Sequence, residues 1–525
     1  MALSTPALDT LRSISNDYVL HSSDEELQTY LESINHDIEG LKVLDEWENP
    51  LYESEKHKYK GRTFYRAKPE ENRYNAWYQK CHITGSHVRS NLLSGYTVGI
   101  KDNISIATVP LMNGSKVMEG FVPRLDASVV QRVLEHGGVI VGSTTCENLC
   151  VSGSSYNTTY GPVRNPWNPD YSAGGSSSGS GVVVAIGEAT VAIGGDQGGS
   201  VRIPASSCGI VGLKPTHGLV PYTGCVSIEV TLDHLGPMAR TVTDCARLLT
   251  AIAGFDDRKD PRQPSCGFHS PNFVSEVAAA KPQTLRVGVL KEGFHECEEA
   301  VVKCVNHAIN HIKASNKFLK VAEVSVPDHD KAMIPYGPVL FYGMLNQFVD
   351  GCGTGTGIGG LNIPDMSKKI HDGLQTHGHT LHALAKQVVI ASAYVKKHGG
   401  SKFYLSYAKS QTWGWVLGKE YDKVLAEYDV LLMPTLPYLP AKIPGEGAPL
   451  KEVLAGSANM IKNTAPFDLT HHPALTVNSG YDEATGLPIG LQIVGRLWDD
   501  GTVLKAGKLI EEILAPLQKP FPAGH

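Results

Sequence analysis

The sequence predicts an α/β protein with a mixed or mostly parallel central sheet, because short apolar runs alternate with helical patterns. The apolar runs at 98–100, 139–141 and 191–193 have the length of buried strands, and residues 127–136 show helical spacing of their apolar positions. Such alternation is typical of α/β domains whose sheet is covered by helices. The chain has 525 residues, of which 42% are hydrophobic, so it can bury a large core.

The second half of the chain continues the alternation. The pattern predicts strands at 285–290, 319–326, 429–435, 473–477 and 491–494, and a helix at 301–314. Residues 330–425 are more helical in pattern and carry several large aromatic side chains, including Trp413 and Trp415. A glycine-dense segment at 351–360 interrupts them and predicts a loop near a binding pocket. We therefore expect one large catalytic domain over residues 76–520, with a helical substrate-pocket region at about 330–425.

Residues 1–75 are rich in polar and charged residues and predict a helical N-terminal extension. Apolar residues recur at helical spacing over 24–38, directly after the helix-start signal Ser-Asp-Glu-Glu at 23–26. Such a segment can cap the main domain, or it can serve as an arm that joins two copies into a homodimer. We favour the dimer arm.

Charge and composition restrict the partners and the compartment. The net charge is −6 and the isoelectric point is near 6.4, so we expect binding neither to nucleic acid nor to an anionic membrane. The N-terminus lacks a basic start followed by an apolar run, and no apolar window has the length of a membrane span. Ten scattered cysteines without a CxxC pair indicate reduced thiols. These features predict a cytoplasmic protein.

Two glycine- and serine-rich segments flank a mostly apolar run. The first, GGSSSGSG at 174–181, could be a flexible linker, but it leads directly into VVVAIG, and a linker would rarely be so enclosed. A nucleotide-binding loop fails, because neither GxxxxGK[ST] nor a GxGxxG after a strand is present. The second, GGDQGGS at 194–200, can turn successive backbone N–H groups toward one point and hold a negative oxygen. Ser200 ends this turn beside those donors.

A lysine follows the apolar run TVGI at 97–100. Most lysines are solvated surface residues, but Lys101 ends a run that should be buried. Burial disfavours the charged form of a lysine, and a neutral lysine can act as a general base. Taken alone, this pattern would be weak evidence for a catalytic role.

The spacing of these three elements resembles the amidase signature family. In that family a lysine comes first, a serine follows a Gly-Gly pair, and the nucleophilic serine ends a DxGGS turn. Here Lys101 comes first, Ser176 follows two glycines, and Ser200 ends DQGGS 24 residues later. The flanks at 208–216 and 487–495 are also similar to the family, so the resemblance covers roughly residues 75 to 515. It implies the amidase signature fold.

The resemblance implies a proton route through three side chains. Ser200 would attack the amide carbonyl, and its proton would pass to Ser176 and then to neutral Lys101. The family places the peptide bond between Gly175 and Ser176 in the cis form. Ser176 would return a proton to the leaving amine, and water would hydrolyse the acyl-serine intermediate by the reverse route. No metal and no organic cofactor are needed for this chemistry.

The resemblance also implies roles for the DQGGS turn. The backbone N–H groups of Gln197, Gly198 and Gly199 would hold the oxyanion of the tetrahedral intermediate. Asp196 and Arg202 would brace the turn as structural support, although both could equally be ordinary ion-paired scaffold residues.

Other candidates have weaker support. Cys150 aligns with a position that lines the acyl pocket in relatives, and Ile228 is a further substrate-binding candidate; each is also consistent with a plain core residue. A Ser-His-Asp triad is the rival arrangement, but no GxSxG motif is present, so His217, His471 and His472 are expected to be packing or pocket-edge residues.

Together these features predict hydrolysis of small aliphatic or aromatic amides to a carboxylic acid and ammonia or an amine. The chain departs from the common motif at Ser178, at Gln197 and over 468–472, which leaves the substrate open rather than the reaction class. Its DQGGS form is similar to amidases associated with nitrile metabolism. The alternatives are a carbamate (urethane) hydrolase with the same triad and an amidotransferase A subunit. A catalytically silent scaffold is disfavoured, because all three catalytic positions are intact.

Overall fold

The computed structural model describes residues 4–264, 267–354, 359–457 and 460–523. Cys266 and part of the glycine-dense segment at 351–360 lie outside the described residues. The chain divides into two units, one ending at Lys60 and one beginning at Gly61. None of the described helices is long and apolar enough to cross a membrane.

The first unit is helical. It contains α1 (Leu8–Asp17), α2 (Asp24–Asp45) and α3 (Pro50–Glu55), followed by a 3-10 turn at Lys56–Tyr59. Helix α2 begins at the predicted start signal, where Ser23 and Glu26 form a capping box. The Glu26 N–H donates to Ser23 Oγ at 3.3 Å, and the Ser23 N–H donates to the Glu26 carboxylate at 2.7 Å. This exchange satisfies two backbone donors that a helix start otherwise leaves unpaired.

The second unit is built on one twelve-stranded sheet. Its strands are β1 (Phe64–Tyr65), β2 (Trp77–Ile83), β3 (Thr97–Lys101), β4 (Val139–Thr144), β5 (Val191–Asp196), β6 (Val211–Lys214), β7 (His234–Ala239), β8 (Arg286–Leu290), β9 (Lys320–Val324), β10 (Val430–Pro434), β11 (Ala474–Tyr481) and β12 (Pro488–Gly495). Their order across the sheet is β1-β2-β4-β3-β5-β7-β6-β11-β12-β10-β8-β9. The predicted α/β class with a large mixed sheet is therefore confirmed.

The prediction of a mostly parallel sheet needs correction. Only four neighbouring pairs among the described strands are parallel, namely β3·β4, β3·β5, β8·β9 and β8·β10. The other seven are antiparallel and include the whole centre of the sheet from β5 to β10. Strands covered on both faces read as continuous apolar runs in either orientation, so the sequence pattern did not distinguish the two.

Helices cover the sheet on both faces. They are α4 (Ser128–Glu135), α5 (Ser178–Ala185), α6 (Arg202–Cys208), α7 (Val242–Ile252), α8 (Phe273–Ala278), α9 (Glu299–Ala314), α10 (Met333–Met344), α11 (Pro364–His377), α12 (Ala383–His398), α13 (Lys402–Glu427), α14 (Leu450–Ala455), α15 (Ala465–Leu469) and α16 (Asp500–Leu514). Along β5, Val191 and Ile193 pack into a core with α4, α7, α8, α9 and α16, whereas Ala192 packs with α5 and α6. This alternation places α5 and α6 on the second face of β5.

Candidate active site

Lys101 lies at the carboxyl end of β3, on a strand whose last four residues are buried. Its side chain is completely buried, as predicted from the apolar run before it. The Lys101 Nζ hydrogen-bonds to Ser176 Oγ at 2.8 Å and donates to the Gly195 carbonyl at 3.0 Å. Both of these hydrogen-bond partners are oxygens without a formal charge, and the Cys150 thiol also interacts with the amine.

Ser176 immediately precedes the turn into α5 and is also fully buried. The peptide bond between Gly175 and Ser176 is cis. The adjacent Ser177 ties this loop to the end of β5, because its Oγ donates to the Gly195 carbonyl at 3.1 Å and accepts from the Gly195 N–H at 3.2 Å. The structure thus brings Lys101 and Ser176 into direct contact across 75 residues of sequence.

Ser200 lies in the tight turn between β5 and α6. The Ser177 N–H donates to the Ser200 carbonyl at 3.3 Å, which joins the two glycine- and serine-rich loops. Ser200 also lines a cavity of about 540 Å³. Lys101 is thus hydrogen-bonded to Ser176, and Ser200 lies on the cavity wall.

Asp196 and Arg202 form an ion pair that stabilises the DQGGS turn. The Asp196 carboxylate accepts from Arg202 Nε at 3.1 Å and from Arg202 Nη2 at 2.9 Å, and it also accepts from the Gly199 and Val201 N–H groups. Burial alone would raise the pKa of Asp196, but the charge and hydrogen bonds of Arg202 outweigh it and lower the pKa overall. The turn is therefore fixed around a buried ion pair.

A second carboxylate, Asp468, joins this ion pair and was missed as a site residue. Its Oδ2 accepts from Arg202 Nη2 at 2.5 Å. Burial first, and then the charge of Asp196, raises the pKa of Asp468 well above its usual range. The stretch 468–472 was noted in the sequence only as a departure from the family motif, and no local signal connects it to the DQGGS turn.

The three predicted oxyanion donors differ in their hydrogen bonding. The Gly199 N–H donates to Asp196 Oδ1 at 2.5 Å, so this donor is already committed to the bracing carboxylate. Within the described part of the chain, the backbone N–H groups of Gln197, Gly198 and Ser200 have no acceptor. The Gln197 side chain is directed away into the protein, where Nε2 donates to Asp233 at 2.9 Å. The geometry therefore leaves the backbone N–H groups of Gln197, Gly198 and Ser200 free, whereas that of Gly199 is not free.

The cavity next to Ser200 is mostly apolar. Its wall combines residues 150–153 and the DQGGS turn with helices α10 and α12, residues 451–457 and Ile461. Its apolar members are Cys150, Val151, Ile203, Ile228, Met333, Leu340, Phe341, Leu384, Val388, Leu454, Ala455 and Ile461. Both weaker candidates, Cys150 and Ile228, therefore lie on the same wall as Ser200. Cavities of roughly 300–1,000 Å³ are the usual size for small-molecule sites.

Three histidines noted in the sequence lie elsewhere. His217 and His471 stack with their ring centroids 4.3 Å apart, and each ring hydrogen-bonds to a backbone carbonyl. His472 contacts Asp422 at 3.3 Å. Burial lowers the pKa of all three imidazoles. They do not line the cavity with Ser200, and His217 and His471 line a separate cavity.

Comparison with known proteins places these features in a family. The Amidase family model matches residues 59–504. An enantioselective amidase of Rhodococcus rhodochrous is 44% identical over 440 residues, which cover 83% of this chain and 82% of the relative. Among solved structures, the A subunit of the glutamyl-tRNA(Gln) amidotransferase of Thermotoga maritima matches with a TM-score of 0.66 at 28% identity, covering 82% of this chain and 86% of that one. The native peptide amidase of Stenotrophomonas maltophilia matches with a TM-score of 0.61 at 26% identity, covering 83% and 85%.

Proposed function

This chain belongs to the amidase family and hydrolyses the C–N bond of amides, and we propose that Ser200, Ser176 and Lys101 carry out the reaction. The observation that carries the proposal is the 2.8 Å hydrogen bond between Lys101 Nζ and Ser176 Oγ, in a fully buried position beside the cavity that Ser200 lines. This hydrogen bond places the Lys101 amine where it can exchange a proton with the Ser176 hydroxyl.

The first half of the reaction forms an acyl-enzyme. Ser200 Oγ attacks the carbonyl carbon, its proton passes to Ser176, and the Ser176 proton passes to Lys101 Nζ. The carbonyl oxygen becomes negative and is held by the Gly198 and Ser200 N–H groups. The C–N bond then breaks, and Lys101 returns a proton through Ser176 to the leaving nitrogen. Water repeats the sequence on the acyl-serine and releases the carboxylic acid.

We propose that the substrates are small aliphatic or aromatic amides with an apolar acyl group. The cavity that Ser200 lines is walled mainly by aliphatic and aromatic side chains, with Cys150 and Ile228 as candidate contacts for the acyl group. Burial of an apolar acyl group there would supply binding energy roughly in proportion to its area. The name of the Rhodococcus relative suggests that chiral acyl groups are worth including among the substrates tested.

The test is a comparison of wild type with Ser200→Ala on a panel of aliphatic and aromatic amides. Release of ammonia and acid by the wild type, with loss of at least about 1,000-fold in kcat in Ser200→Ala, is the expected result. Full activity of Ser200→Ala would reject the assigned nucleophile.

A carbamate hydrolase would use the same three residues with a different leaving group. Matched amide and carbamate substrates with the same aromatic group distinguish the two, because the carbamate releases an alcohol. The match to an amidotransferase A subunit makes that role the third candidate function. Glutaminase activity that appears only when partner subunits are added would favour it.

We also propose that the protein is cytoplasmic and that its helical N-terminal extension joins two copies. The helical spacing of apolar residues within 1–75 supports the arm. The ten cysteines without a disulfide framework support the cytoplasmic location. Light scattering of the full chain, which should give about twice the mass of 56.5 kDa, tests the dimer.

A further inference from the structure

A tyrosine far from the motif holds the turn that contains the proposed oxyanion donors. Tyr336 lies on α10, is almost completely buried, and forms part of the cavity wall with Ser200. Its hydroxyl donates to the Gln197 carbonyl at 3.0 Å. This bond connects the helical pocket region to the DQGGS turn across 139 residues of sequence.

The bond fixes the orientation of one peptide plane. In a trans peptide the C=O and the following N–H point in opposite directions. Because Tyr336 holds the Gln197 carbonyl, the Gly198 N–H must point away from the tyrosine hydroxyl. That N–H has no acceptor within the described residues, and Gly198 lines the cavity. A hydrogen bond at the carbonyl also polarises the plane and strengthens its N–H as a donor.

The next peptide plane, between Gly198 and Gly199, is also held by a side-chain hydroxyl, but its N–H points to Asp196. Thr464 Oγ1 donates to the Gly198 carbonyl at 2.6 Å. The Gly199 N–H on the other side of this plane donates to Asp196 at 2.5 Å. Two hydroxyl groups from distant segments thus set successive planes, one toward the cavity and one toward the bracing carboxylate.

The contact is close enough to require glycine. A Cβ added at Gly198 would overlap the Tyr336 hydroxyl, and one added at Gly199 would overlap Thr464 Oγ1. The two glycines therefore allow both side-chain hydroxyls to approach the backbone.

We propose that Tyr336 is a positioning residue for amide hydrolysis, which acts by aiming the Gly198 N–H at the oxyanion. The proposal rests on the proposed function, in which Ser200 is the nucleophile. Because the tyrosine ring also forms the cavity wall, an acyl group bound there packs against the residue that aligns the oxyanion donor.

The test is Tyr336→Phe, which keeps the ring in the cavity wall and removes only the hydroxyl. Tyr342→Phe is the matched control, since Tyr342 lies on the same helix, stacks on Phe403 and is not part of the cavity wall. Four quantities are measured: kcat and KM on benzamide, the inhibition constant of phenylboronic acid, and that of benzoate. Phenylboronic acid forms a tetrahedral adduct with a serine hydroxyl, whereas benzoate reports ground-state binding.

The expected result for Tyr336→Phe is a loss of about 10-fold in kcat and a similar weakening of phenylboronic acid, with KM and benzoate binding unchanged. This loss is smaller than the roughly 100- to 1000-fold cost of deleting an oxyanion donor, because the Gly198 N–H remains present. Wild-type kcat, or equal changes in kcat, KM and benzoate binding, would overturn the positioning role. Full activity of Ser200→Ala would instead reject the proposed function on which it rests.

Discussion

Replacing Asp196 with Asn should destabilise the protein much more than the matched replacement of Asp468, although both carboxylates are fully buried against Arg202. Asp196 accepts two hydrogen bonds from the guanidinium and three from backbone N–H groups, those of Gly199, Val201 and Arg202. Asp468 accepts one bond from the guanidinium, at 2.5 Å. Within the described residues, the other oxygen of Asp468 has no hydrogen-bond partner.

The two carboxyl groups also differ in charge. Burial would raise the pKa of Asp196, but Arg202 lowers it overall, so Asp196 is the ionised partner. Burial and the charge of Asp196 raise the pKa of Asp468 well above its usual range, so Asp468 tends to hold its proton. Asparagine is close in shape to a protonated aspartic acid and cannot replace an ionised one in an ion pair. The substitution is therefore conservative only at Asp468.

The expected losses of unfolding free energy follow from the charge of each aspartate. Removing one partner of a buried ion pair costs about 3–5 kcal/mol, because the other charge is left uncompensated. Weakening a single hydrogen bond costs about 1 kcal/mol. We therefore expect Asp196→Asn to lower the unfolding free energy by about 3–5 kcal/mol and Asp468→Asn by about 1 kcal/mol.

Urea denaturation followed by circular dichroism, at pH 7, compares the two variants with wild type. The stabilisation by Asp196 should be present above its unfolded-state pKa of about 3.9 and lost as the pH falls through the lower folded-state value. Equal losses for the two variants, or a larger loss for Asp468→Asn, would refute the assignment of charge.

Four further outcomes are expected. Lys101→Met should lower kcat by about 100- to 10,000-fold, the usual range for a general base, in a steady-state assay of ammonia release. Burial raises the pKa of Cys150, but its interactions with the Cys146 thiol and with Lys101 lower the pKa overall to about 7. Lys101→Met should therefore shift the pH midpoint of Cys150 alkylation by iodoacetamide upward. An unchanged midpoint would contradict the interaction between Cys150 and Lys101. Gly198→Ala should reduce kcat more than Tyr336→Phe, because the added Cβ overlaps the tyrosine hydroxyl and displaces the peptide itself; a smaller effect would contradict the geometry. Burial lowers the pKa of His329 to about 4, against about 6.5 when unfolded, so its contribution to stability falls by about 2 kcal/mol between pH 7 and pH 5; His329→Gln should lose that part of the pH dependence in urea titrations.

Local signals predicted much of the site, because the chemistry lies in short motifs. The apolar run before Lys101 predicted a buried strand end, and the two glycine- and serine-rich loops predicted turns beside it. The helix start at Ser23 was equally local, since a capping box is formed within four residues. Strand direction was not local, because a doubly covered apolar strand has the same sequence pattern in either orientation.

The supporting residues required the folded chain. Tyr336 and Thr464 lie 139 and 266 residues from the backbone carbonyls that they bind, so no spacing rule connects them. The commitment of the Gly199 N–H to Asp196 depends on the direction of one peptide plane, which a glycine-rich sequence leaves open. The motif therefore predicted which residues form the turn, and the fold determined which of their N–H groups face the cavity.

Covalent labelling of the nucleophile tests the central assignment most directly. Wild type and Ser200→Ala are treated with a fluorophosphonate, and the adduct is located by peptide mass spectrometry. A single adduct on Ser200 in the wild type, absent from Ser200→Ala together with the amidase activity, is the predicted result. An adduct on another residue, or undiminished hydrolysis by Ser200→Ala, would contradict the account.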